Sequence, residues 1–160
     1  MSSVNPYAPP SAEIADVAVH EASPALWNPN AAACWSLIFS PVFGGILHMK
    51  NWQAMGRPEE AASSRNWVIG TLLVLVATIV MAVVLPDSKF MDLLSRFFGF
   101  GTLIAWYYAI GKSQNAAVLA RYGKDYARKG WGKPLSLAVL ALIGFLVLAV
   151  IIGGAAAALA

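Results

Sequence analysis

The stretch LSLAVLALIGFLVLAVIIGGAAAALA, residues 135–160, carries no charged side chain from end to end. A bilayer hydrocarbon core about 30 Å thick is crossed by about 20 helical residues at about 1.5 Å each, so this stretch is long enough to span. WVIGTLLVLVATIVMAVVL, residues 67–85, meets the same requirement. Outward from these two lie shorter uncharged runs at 31–47 and 97–111. The first is interrupted by Pro41, Gly44 and Gly45, and the third reaches spanning length only by recruiting residues 91–96, which include Asp92 and Arg96. The expectation is an all-α integral membrane protein with four transmembrane helices near 31–49, 67–85, 91–111 and 135–158, following a disordered acidic tail over residues 1–30.

Composition agrees with a membrane class. Of 160 residues, 59% are hydrophobic and 12% charged, against about a quarter charged in soluble domains. The net charge of +3 and the pI near 9.2 could point to nucleic acid, but the basic residues recur loop by loop as membrane orientation requires, so no nucleic-acid partner is expected. Cys34 is a lone cysteine, and His20 and His48 are far apart; neither an internal disulfide nor a zinc-type ligand set follows. No cofactor or metal is expected.

Residues 1–30 hold Pro6, Pro9, Pro10, Pro24 and Pro29 with three acids and no lysine or arginine, a composition that disfavours helix and core alike. Without a basic n-region the tail does not read as a cleaved signal, so the first apolar segment is expected to be retained. Gly56 is placed to end one helix, and Pro58 with Glu59 and Glu60 to begin the next, where acids suit the helix dipole. Residues 112–121 prolong the third helix towards Gly123, and Pro134 opens the fourth.

Nine of the eleven lysines and arginines lie in loops 49–66 and 112–134. By the positive-inside rule both loops are cytoplasmic. Four crossings then put the tail, the 86–90 turn and the C-terminus outside, and Trp52, Trp67, Trp106, Tyr107, Tyr108 and Trp131 form an aromatic belt at the cytoplasmic boundary. A competing topology makes the Pro41–Gly45 region a re-entrant or interfacial helix and keeps the tail inside with the same two loops. An internal repeat favours four spans: at an offset of 55, Ser40, Phe43, Gly44, Ala54 and Gly56 align with Ser95, Phe98, Gly99, Ala109 and Gly111, as two tandem helical hairpins would.

Candidate functional residues are few. Ser36, Ser40, Gly44 and His48 recur every four residues, one helix face on which small side chains allow close helix approach; Gly99 and Gly153 are assigned the same packing role. A proton-carrying path past His48 is the sharper alternative. Asp92 and Arg96, spaced i,i+4 with the acid first, form an intramembrane ion pair near the segment end. Lys124, Arg128, Lys129 and Lys133, interleaved with Tyr122, Tyr126 and Trp131, compose a basic loop suited to lying on the lipid bilayer and to anionic lipids in particular. No nucleophile with its base, paired carboxylates or phosphate-cradling glycine loop is present, so an enzyme is not expected.

Asn5-Pro6-Tyr7-Ala8-Pro9-Pro10, the stretch from Trp27-Asn28-Pro29 through Trp35-Ser36 to Phe39-Ser40-Pro41, Asn51-Trp52, and Tyr126 through Trp131 to Pro134 resemble a group of small, uncharacterised bacterial inner-membrane proteins. The resemblance covers most of the chain and implies a multi-pass protein of the bacterial inner membrane; the group brings no established activity with it. The functional expectation is a non-enzymatic accessory or interaction protein, with a membrane-protein partner or a second copy of itself. The alternative is a component of an oligomeric transporter or channel.

Overall fold

A computed structural model describes residues 23–84 and 89–159. Every regular element among them is helical: α1 Pro29–Phe39, α2 Pro41–Ala54, α3 Pro58–Val84, α4 Lys89–Trp106, a π-helical turn Tyr107–Gly111, α5 Lys112–Tyr122 and α6 Gly132–Leu159. Among the described residues, two helices are long and apolar enough to cross a membrane, by spans Pro58–Met81 in α3 and Gly132–Ala155 in α6.

The segment expected as one span over 31–49 is instead two short helices folded against each other. Asn28 caps α1, its Oδ1 accepting from the Ala31 N–H at 3.2 Å, and Pro29 occupies the first turn, where no N–H is needed. Pro41 can neither donate within a continuing helix nor avoid the carbonyl of the preceding turn. The chain therefore breaks at Ser40, the one described non-glycine residue with positive φ, at φ 81° and ψ 161°. It returns antiparallel: His48 Nε2 lies 3.2 Å from the Pro29 carbonyl oxygen, and Ser36 faces Gly44. At about 1.5 Å per residue, α1 and α2 reach only about 16 and 21 Å, so Pro29 and Ala54 end up on the same side.

The next turn is as the sequence predicts. Gly56, at φ 70°, donates to Gln53 at 3.1 Å, while Arg57 N–H donates to Trp52 at 2.9 Å. These two bonds satisfy the orphaned carbonyls of α2 in a Schellman closure. Pro58, Glu59 and Glu60 then open α3.

The tail expectation also needs correcting at its end. Residues 1–22 lie outside the described residues, but 23–28 are fixed. Leu26 pairs with the α5–α6 loop, its N–H donating to Ala127 at 2.9 Å and its carbonyl accepting from Lys129 N–H at 2.8 Å. Its side chain is fully buried in a cluster with Trp52, Met55, Ala61, Val118, Tyr122 and Tyr126. This cluster forms a plate at one end of the molecule. It gathers the segment before α1, the end of α2, the start of α3, the second half of α5 and the loop that follows it.

From that plate α3 and α4 run out as a hairpin, and α6 leaves separately. Past Ala138, every described side chain of α6 through Ala155 is exposed within the chain. From Val139 to Ile152 this exposed surface is apolar, the kind of surface that a bilayer can cover. The proposed hairpin repeat does not appear as equivalent geometry: α2 follows a break at Ser40, whereas its counterpart Ser95 sits inside the continuous α4.

Candidate functional site

Beneath the plate three buried polar side chains, His48, Asn51 and Gln114, join the α1–α2 hairpin to α5. Asn51 lies one turn after Leu47 on α2 and points at the chain preceding α1. Its Oδ1 accepts from Trp27 N–H at 3.0 Å, and its Nδ2 donates to the Trp27 carbonyl at 2.8 Å and to Gln114 Oε1 at 3.2 Å. Gln114 in turn donates to the His48 carbonyl at 2.8 Å. His48 Nε2 meets the Pro29 carbonyl, which can only accept, so the ring proton sits on Nε2. An amide donates and accepts at once, which lets two uncharged side chains bridge three backbone segments where a charge would be costly to bury.

Trp106 is the wedge of the site. It is 1% exposed, lies edge-on to His48 with ring centroids 5.1 Å apart, and fills the space over two glycines. A Cβ on Gly44 would stand 2.6 Å from the Trp106 ring and in collision with Ser36 Oγ; one on Gly45 would meet Val68 at 2.7 Å. Directly after Trp106 the backbone widens into the π-helical turn, a feature that inserts one residue into a helix and recurs at functional sites. Among the described residues, the buried side-chain atoms without a hydrogen-bond partner are His48 Nδ1, Trp52 Nε1, Ser64 Oγ and Trp106 Nε1.

The outer rim is aromatic and basic. Trp27 Nε1 donates to the Gly130 carbonyl at 3.1 Å, and Lys129 Nζ lies 4.4 Å from the Trp27 ring centroid. Arg128 stacks on Tyr126 at 5.3 Å; burial pushes the Tyr126 phenol above its ordinary pKa, with Arg128 opposing. Lys124, Arg128 and Lys133 are exposed and Lys129 is half-buried. Beyond the plate, α3 and α4 splay around an open cleft of about 830 Å³ lined by Asn66, Trp67, Gly70, Thr71, Gly101 and Thr102 among others.

Of the predicted packing residues, Ser36, Gly44 and His48 are brought together, though by the hairpin and not by a shared face of one straight helix. Ser36 Oγ donates to the Ala32 carbonyl at 2.8 Å. Ser40 is the break itself. Gly153 sits in open space, with nothing among the described residues near the position of a Cβ. The surroundings of Gly99 and the side chains of Asp92 and Arg96 lie outside the described residues. Sequence reasoning overlooked Asn51, Gln114, Ser64 and Leu26, and placed Trp106 only in a belt. The signal available was Trp27-Asn28-Pro29, a cap with proline at the first helical position, which marks a helix beginning inside the supposed tail.

Comparison of the chain with protein-family models, with curated proteins and with solved structures gave no match.

Proposed function

We propose that the chain is a multi-pass protein of a bacterial inner membrane, with α1 and α2 as a re-entrant hairpin and α3, α4 and α6 as three crossings. The tail, the 49–66 loop and the 112–134 loop then share the cytoplasmic side, where nine of the eleven basic residues fall, and the C-terminus lies on the far side. Lys124, Arg128 and Lys133 rest on the anionic leaflet in this arrangement.

Within that membrane we assign it a non-enzymatic accessory role, exercised through α6. The observation that carries this reading is the contrast along α6: its base is bonded to the plate through the Gly130–Trp27 contact, while among the described residues every side chain from Val139 to Ala155 is exposed. A helix fixed at one end and uncovered along its length presents a surface to another membrane helix, of a partner or of a second copy. Photo-crosslinking residues placed singly at Leu140, Val147 and Val150 in native membranes test it. One discrete protein adduct confined to one face of α6 is the expected result; adducts to lipid alone at every position would contradict it.

The second reading, a component of a transporter or channel, is favoured by the π-helical turn, by the buried His48 and by the open cleft between α3 and α4. Solute or ion flux in proteoliposomes that disappears with His48→Ala would promote it over the accessory role.

A further inference from the structure

The cleft between α3 and α4 is graded along its depth. Ser63 and Asn66 line its cytoplasmic end and are exposed, Thr71 and Thr102 stand half-buried further in, and Val74 and Phe97 lie at the inner end. Arg65 is the last charged side chain of α3, and Trp67 follows it closely. The membrane boundary therefore falls at the polar end of the cleft, the level at which a tryptophan belongs. From Trp67 to Val74 the helix advances about 10 Å at about 1.5 Å per residue. That depth stays inside one leaflet, half of a hydrocarbon core about 30 Å thick. Two glycines make the room: Gly70 and Gly101 both line the cleft, and a Cβ on either would meet nothing within 4 Å.

We propose that this cleft is a binding site for one phospholipid of the cytoplasmic leaflet, with an acyl chain laid between Gly70 and Gly101 and its ester and phosphate oxygens at Ser63 and Asn66. The volume of about 830 Å³ is that of a small-molecule site, for which about 300 to 1,000 Å³ is usual. Ester and phosphodiester oxygens accept hydrogen bonds, and the Ser63 hydroxyl and the Asn66 amide can donate them. An acyl chain gains nothing by exchanging one apolar surrounding for another, so packing against α3 and α4 and these hydrogen bonds are what set the bound molecule apart from its bulk neighbours.

The rival occupant is a membrane helix of a second copy. Such a helix runs through both leaflets over about 20 residues, whereas among the described residues the lining of the cleft stops on α3 at Val74, well before that helix ends at Val84. A polar end at the boundary and an apolar end within the same leaflet match the outline of a lipid and not that of a crossing helix. The inference rests on α3 and α4 crossing the bilayer and is independent of what α6 meets.

The test uses the full chain in nanodiscs of phosphatidylcholine doped with the same lipid carrying a mid-chain diazirine, with the photo-adducts mapped by mass spectrometry. Adducts are expected to concentrate on residues 70–74 and 97–102, above the level on the exposed α6 surface from Val139 to Ile152, which serves as the reference for bulk lipid. Gly70→Leu combined with Gly101→Leu fills the cleft from two positions where a side chain collides with nothing, and should bring its labelling down to the α6 level. Gly144→Leu, at an equally open position on α6, should leave the cleft labelling unchanged. Cleft labelling no higher than that of α6 in the unsubstituted chain overturns the proposal, and so does labelling that survives the double substitution. Absence of adducts from the whole of α3 and α4 removes the crossing itself, and the site with it. Should the double variant fail to fold, the labelling pattern of the unsubstituted chain decides alone.

Discussion

Asn51 grips Trp27 by both of its backbone polar atoms, accepting from its N–H at 3.0 Å and donating to its carbonyl at 2.8 Å. A side-chain amide here reproduces the paired bonds of a β-ladder, and it fastens the chain that precedes α1 to the end of α2. The two mouths of the α1–α2 hairpin are thereby locked together.

Asn51→Ala should consequently be among the most damaging small substitutions in the chain. It leaves the Trp27 N–H and Gln114 Oε1 without partners in a buried setting, at about 2 to 4 kcal/mol in total. Ser63→Ala, an exposed change one helix away, should remain within about 0.5 kcal/mol. Thermal unfolding of both variants in one mild detergent gives the comparison, and equal midpoints would remove the clamp from consideration.

Leu26→Ala probes the other bond between the tail and the plate. Leu26 is fully buried against Trp52, Val118 and Tyr126, and truncating such a side chain costs about 2 to 5 kcal/mol. The variant should also be cleaved more readily by protease near residues 23–28, because the segment loses its one fully buried apolar anchor and keeps only its polar contacts to Asn51, Ala127, Lys129 and Gly130. Unchanged protection would mean that the segment is held elsewhere.

Gly44→Ala should open the hairpin, since the added methyl group meets Ser36 Oγ and the rigid Trp106 ring. Overpacking of this kind costs about 1 to 3 kcal/mol. Ser36→Ala should be mild alone and should recover part of the loss when combined with Gly44→Ala, as residues in direct contact couple. Gly144→Ala, where a methyl group meets nothing, should be harmless. Strict additivity at 36 and 44 would argue against their contact.

Ser40 stands in a region of backbone space that side chains rarely adopt, at φ 81° and ψ 161°, and such residues store about 1 to 3 kcal/mol of strain. Ser40→Gly should raise the unfolding midpoint, and Ser40→Val should lower it. If glycine destabilises instead, the sharp turn between α1 and α2 is not the stable conformation.

Much of this was legible in the sequence, for identifiable reasons. The apolar runs of α3 and α6 are long and uncharged, so solvent physics alone decides them, and Gly56-Arg57-Pro58 encodes its turn locally. The Pro41 interruption was visible, but a kinked span and a folded-back hairpin share the same local signals; what separates them is the distant contact of His48 with Pro29 and of Asn51 with Trp27. Gln114 was equally hidden, because its polarity suits a solvent-facing helix and only its placement opposite Asn51 makes it part of a buried site. Spacing by four singled out Ser36, Gly44 and His48, but a straight helix face sets Ser36 beside Ser40 and Gly44 beside His48, whereas the hairpin sets Ser36 against Gly44 and His48 against Pro29.

The side of the membrane on which residue 25 lies tests the re-entrant hairpin most directly. In a Cys34→Ser background, single cysteines at Ala25, Ser63 and Ala158, all exposed positions, are treated with an impermeant thiol reagent in cells whose outer barrier has been opened. Ala25→Cys and Ser63→Cys should both stay unlabelled until the inner membrane is breached, while Ala158→Cys labels at once. Labelling of Ala25→Cys in intact inner membranes, with Ser63→Cys still protected, would place the two mouths of the hairpin on opposite sides and contradict the fold-back of α1 on α2.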